Sequence, residues 1–98
     1  MQIDRMQSGG KLTLTLAGRL DRTTAPELDA ELGRPDEWSD GLILDFGKVD
    51  YISSAGLRVL LAAQRKMPAG KKVVVRGANE FVKDVFAMTG FMDILSVE

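Results

Sequence analysis

The sequence predicts a single α/β domain, with a mixed, mostly parallel central sheet of four or five strands, an N-terminal antiparallel hairpin and three or four helices. Three observations carry that expectation. A chain of 98 residues can bury one hydrophobic core and has no surplus for a second. Apolar runs of strand length alternate with apolar residues at helical spacing, in the order strand, strand, helix, strand, helix, strand, helix, strand. Strands separated by helices are joined by right-handed crossovers and therefore lie parallel.

Taken in order, Gln2 to Met6 reads as a short strand, Gly9-Gly10 as its turn, and Lys11 to Ala17 as a half-buried partner in which Leu12, Leu14 and Leu16 alternate with Thr13 and Thr15. Thr24 followed three residues later by Glu27 has the pattern of a capping box, and Pro26 suits a first helical turn. A helix from Ala25 to Leu32 would bury Ala25, Leu28 and Leu32. Gly33 to Gly41 is rich in turn residues, with Trp38 folding back onto apolar surface. The nearly continuous apolar run Leu42 to Phe46 is the pattern of a strand covered on both faces.

Leu57, Leu60 and Leu61 start an amphipathic stripe, extended less strictly by Gln64 and Met67 and stopped by Pro68 and Gly70. Val73 to Val75 is a further buried strand, with Lys71 and Lys72 as solvated flanks. Asn79 suits the N-cap of a helix carrying Phe81, Val82, Val85 and Phe86 on one face, and Gly90 suits its C-terminal stop. Phe91 to Val97 ends the chain with a short apolar segment, the last strand of the order. Phe81, Phe86 and Phe91, like Met67, Met88 and Met92, are expected in packing roles.

Composition removes whole classes of function. Thirteen basic and fourteen acidic residues are interspersed to a net charge of -1, so the chain lacks the electrostatic footprint of phosphate-backbone binding and no nucleic-acid partner is expected. Without cysteine there is no disulfide, thiolate nucleophile or sulfur metal site, and without histidine no serine-histidine pair. The carboxylates follow no calcium-loop pattern, and neither G-x-x-x-x-G-K-[ST] nor G-x-G-x-x-G occurs. No metal, cofactor or catalytic residue is expected. No apolar run is of bilayer-spanning length and no secretory signal pattern appears at the start, so a cytoplasmic, non-membrane protein is expected.

The stretch VDYISSAGLRVLL, Val49 to Leu61, ends a strand, sets Ser53 and Ser54 at the turn and starts a helix with Gly56 in its first turn. As a nucleophile elbow it lacks the first glycine and the base. Ser53 or Ser54 can serve as an N-cap, an effect of roughly 1 kcal/mol. Gly56, which weakens a helix by up to about 1 kcal/mol relative to alanine, then needs its own reason. It either lets the helix pack closely on a neighbouring backbone or leaves a serine hydroxyl open to another protein.

Three segments, GRLDRTTAPEL, LILDFGKVDYISSAGLRVLLAAQ and FVKDVFAMTGF, together resemble a STAS domain of the free-standing anti-sigma-factor antagonist type across nearly the whole chain, residues 1–98. That resemblance implies a STAS-like fold and a non-enzymatic partner switch. It implies an anti-sigma factor with GHKL-type serine kinase activity as partner, a PP2C-type phosphatase as its opponent, and a monomer or weak dimer. In the family the serine or threonine two positions before the helix-start glycine is phosphorylated. Carried over, the glycine is Gly56 and the phosphoacceptor Ser54, with Ser53, where the family often has aspartate, as the alternative. Asp21 matches the acidic residue of the G-x-L-D turn near the partner surface. The surrounding rim would comprise Asp21, Arg22, Thr23, Ser53, Ser54, Gly56 and Arg58. Two other readings stand beside it: a STAS subunit of a signalling or lipid-transport assembly that works without phosphorylation, and a small nucleotide-binding protein.

Overall fold

In the computed structural model, which describes residues 1–98, β1 (Gln2–Ser8) and β2 (Lys11–Leu20) form the expected antiparallel hairpin across Gly9-Gly10. Next come α1 (Ala25–Glu31), a 3-10 turn (Pro35–Trp38), β3 (Gly41–Ile52) and α2 (Ser54–Arg65). The chain continues through β4 (Val74–Arg76), α3 (Glu80–Thr89), α4 (Phe91–Ile94) and β5 (Ser96–Val97). The sheet has five strands in the order β1-β2-β3-β4-β5, with every pair after the hairpin parallel.

This order corrects one expectation. Strands laid down successively in one direction through crossovers of one hand place every connecting helix on the same face of the sheet. Leu12, Leu14, Leu16, Leu42, Leu44, Phe46 and Val75 are buried on that face, where they join residues of α1 to α4 in a single core. On the other face Thr13, Ile43, Asp45 and Val74 are only half-buried and Thr15 is exposed. So β3 is covered on one face, not two; Ile43 made its sequence look like that of a doubly covered strand.

Local chemistry explains the remaining boundaries. Asn79 Oδ1 accepts from the Val82 amide at 2.8 Å, and Gly90, at φ +81°, ends α3 in the left-handed conformation that glycine adopts without penalty. Trp38 folds back as expected and is 1% exposed. Arg5 ties the hairpin to the helical layer, reaching Glu31 at 2.9 Å and Glu37 at 3.0 Å. Gln64 departs from the apolar stripe to make polar bonds: its Oε1 accepts from the Val73 amide at 2.7 Å and its Nε2 donates to the Lys71 carbonyl at 2.9 Å. Three of the residues expected in packing roles lie outside the core, because Phe81 (47%), Met88 (81%) and Met92 (43%) are exposed, whereas Phe86, Phe91 and Met67 are buried in it.

Candidate functional site

The C-terminal ends of β2 and β3 lie side by side, with Leu20 opposite Ile52 and the Ser53 amide donating to the Leu20 carbonyl at 2.9 Å. That pairing brings the Asp21–Thr24 turn next to the start of α2. Two irregularities in the β2–β3 register, between Thr15 and Ala17 and between Gly18 and Arg19, lengthen β3 relative to its neighbour before the strands meet here.

The turn is held by Asp21, which corrects the capping-box expectation. The Asp21 carboxylate accepts from the amides of Thr23 (3.0 Å) and Thr24 (3.1 Å), and its carbonyl accepts from the Ala25 amide at 2.7 Å. The Thr24 hydroxyl makes no cap bond to α1. It donates backwards to the Arg19 carbonyl at 2.6 Å and accepts from the Asp21 amide at 2.9 Å. The Thr24 amide above all, then the Thr23 amide, the Thr24 hydroxyl and the Arg19 charge, hold the Asp21 carboxyl below its ordinary pKa despite an opposing desolvation effect.

Because the folded value lies below the unfolded one, the bonded carboxylate stabilises the turn above the unfolded pKa, and this contribution is lost as pH falls through the folded value. A carboxyl-detected NMR titration is therefore expected to place the Asp21 midpoint below the roughly 3.9 of a free aspartate. Asp21→Asn should retain the turn and abolish its pH dependence. A midpoint at or above the free value would contradict the bonding pattern.

Ser54 occupies the first position of α2 and is exposed, while Ser53, extended at φ -110° and ψ 177°, takes the N-cap position. Neither hydroxyl caps the helix. The Ser53 Oγ is buried and has no hydrogen-bond partner. The amides of the first turn, which have no intrahelical acceptor in any α-helix, thus also lack a side-chain cap. Replacing an N-cap serine by alanine ordinarily costs about 1 kcal/mol. Here Ser53→Ala should cost nothing and should stabilise by up to about 1 kcal/mol, since it removes an unsatisfied buried hydroxyl. Urea denaturation reads the sign directly.

Gly56 is buried, not a member of the exposed rim. A Cβ built there would stand 2.7 Å from Leu20 Cγ and 3.0 Å from Ile52 Cγ1. Close packing of α2 on the ends of β2 and β3 therefore accounts for this glycine, and the idea that it opens access to a serine is corrected. The structure does bring together the other six residues singled out by sequence, around the β2–α1 turn and the first turns of α2. Arg22 and Arg58 stand beside a shallow groove of about 320 Å³ between α1 and α2, with Ala25, Ala55 and Val59 on its apolar wall. Neither arginine forms an ion pair.

One adjoining feature escaped the sequence reading. The Arg19 guanidinium lies 4.1 Å from the centre of the Tyr51 ring, which stacks on Phe81 at 5.6 Å and 18°. No linear spacing signals this contact, because residues 19, 51 and 81 meet only through strand register and the docking of α3.

With this geometry in place, comparison with known proteins gives the class. Residues 3–96 match the family model described as "Mlab, STAS domain", and the chain belongs to the STAS domain family. It is 35% identical, over 99% of its length and 85% of the relative's, to the Bordetella bronchiseptica protein named "Putative anti-sigma factor antagonist BtrV". Among solved structures it resembles an anti-sigma factor antagonist from Mycobacterium paratuberculosis, with TM-score 0.85, 22% identity, and coverage of 98% of this chain and 83% of the other. It also resembles the Bacillus cell fate determinant SpoIIAA in its phosphorylated form, with TM-score 0.75, 16% identity, and coverage of 99% and 91%. No helix is long and apolar enough to cross a membrane.

Proposed function

We propose that this chain is a cytoplasmic anti-sigma-factor antagonist that works as a phosphorylation-controlled partner switch. Unmodified, it binds an anti-sigma factor with GHKL-type serine kinase activity; phosphorylated on Ser54, it lets go, and a PP2C-type phosphatase restores it. The observation that carries this reading is the exposed Ser54 hydroxyl at the first position of an uncapped helix. A phosphate there would carry about -1.5 to -2 charges and meet free amides and the positive end of the helix dipole. The helix can accept it without unfolding. The relative's name and the phosphorylated SpoIIAA structure support the same reading.

The rim that meets the partner comprises Asp21, Arg22, Thr23, Ser53, Ser54 and Arg58, with Gly56 shaping it from beneath. Ser54 is preferred to Ser53 as phosphoacceptor because the Ser53 Oγ is buried. Incubation with ATP and the cognate kinase should place phosphate on Ser54, and mass spectrometry should find none on Ser54→Ala. Phosphate on Ser53, or binding of the kinase without any transfer, would overturn this assignment. The latter result would favour a STAS subunit that works without modification.

A further inference from the structure

At the end of the sheet remote from Ser54, the starts of β3 and β4 and the neighbouring Lys11 of β2 surround a second cleft, of about 350 Å³. Ile43, Val74 and Met67 give it an apolar wall, and Lys11, Lys71 and Lys72 stand around it. Gly41, paired with Lys11 in the register, also lines the cleft. The lysines are not neutralised. Lys71 Nζ donates to the Asp40 carbonyl at 3.1 Å and Lys72 Nζ to the Asp93 carbonyl at 3.0 Å, and none of the three makes an ion pair.

An ammonium has three donors, so Lys71 and Lys72 each keep two after these bonds. Those bonds to carbonyls also fix where the two charges stand. Asp40 lines the same cleft, yet its carboxylate packs against Gly10 and pairs with no lysine. In a chain with a net charge of -1, three lysines without ion-pair partners thus border one concavity with an apolar wall. Apolar walls with a few convergent charged groups, at a volume within the usual range of roughly 300–1,000 Å³, are the construction of a small-molecule site. No aromatic side chain lines it, so it offers nothing for a nucleotide base to stack on.

The geometry points to a binding site for a small organic anion with an apolar body. The anionic head, a carboxylate in the simplest case, takes charge-assisted hydrogen bonds from Lys11, Lys71 and Lys72. The body lies along Ile43, Val74 and Met67. The site is separated from Ser54 by the length of β3, whose twelve residues run from Gly41 to Ile52, so its occupancy can be tested without reference to partner switching.

Titration of isotope-labelled protein with octanoate, followed by NMR, is expected to give saturable shifts centred on Gly41, Ile43, Lys72 and Val74. Octanol, which keeps the body and loses the charge, and acetate, which keeps the charge and loses the body, should each bind at least tenfold more weakly; octylammonium should not bind. Lys71→Gln with Lys72→Gln should weaken octanoate at least tenfold while the rest of the spectrum stays in place. Lys11→Gln serves alone if that pair disturbs the fold. Octanoate shifts that fail to saturate, that gather instead at exposed Met6, Met88 and Met92, or that persist unchanged in the lysine variants would overturn the proposal. Acetate binding as tightly as octanoate would do the same, leaving an adventitious anion site.

Discussion

Ser54→Asp is expected to bind the cognate anti-sigma factor more than a hundredfold less tightly than the unmodified protein, with the fold intact. The physical basis is asymmetric. At the start of α2 a negative charge meets free amides and the helix dipole, so the isolated domain tolerates it, and can gain a few tenths of a kcal/mol. Inside a protein interface the same charge must lose water or find a cation, and an unpaired one costs several kcal/mol. A loss of about 3 kcal/mol already exceeds a hundredfold in affinity. Calorimetric titration of wild type and Ser54→Asp with the partner, alongside their thermal melts, separates the two halves. Equal affinity would sink the switch, and an unfolded variant would sink the account of the helix start.

Gly56→Ala has the largest expected effect on stability. By propensity alone alanine should strengthen α2 by up to about 1 kcal/mol. The new methyl, however, would lie 2.7 Å from the Cγ of Leu20, a side chain with no exposed surface, and 3.0 Å from Ile52 Cγ1. Neither contact is with the free end of a flexible chain, so α2 must lift or Leu20 must leave its position. Overpacking of this kind costs about 1–3 kcal/mol, and in a domain of this size each kcal/mol lowers Tm by roughly 4–8 °C. Net destabilisation of about 1–2 kcal/mol is expected. Adding Leu20→Ala should relieve part of it, so the double variant should be less destabilised than the sum of the singles. A stabilised Gly56→Ala would mean that helix propensity outweighs the contact.

The elements most legible in the sequence are those set by neighbouring residues. The hairpin around Gly9-Gly10, the Asn79 cap, the Gly90 stop and the inward turn of Trp38 all follow from local chemistry, and all stand in the structure. What the sequence hid depends on which strand lies beside which. Ile43 looks like a core residue until the strand order leaves its face uncovered. Thr24 and Glu27 have the spacing of a cap, yet Asp21 takes the amides because β2 runs on to Leu20 and brings Asp21 to the turn. The cluster around Ser54 was readable from the family resemblance. For Gly56 the sequence left close packing and serine access both open; it could not choose between them, since Leu20 is thirty-six positions away and meets Gly56 only through the pairing of β2 with β3.

The consecutive strand order has a consequence for how the chain reaches its native state. Each strand docks beside the one made just before it, so no vacancy in the sheet has to wait for a later segment to be inserted. The two long crossovers, β2 to β3 where Lys11 meets Gly41 and β3 to β4 where Ile43 meets Val74, are of nearly equal length, and α1 with the 3-10 turn in the first and α2 in the second shorten them by folding within the intervening segments. Loop-closure entropy is therefore met in modest steps. The sheet can grow by accretion from its N-terminal hairpin, with each helix laid on the same growing side as its strand arrives.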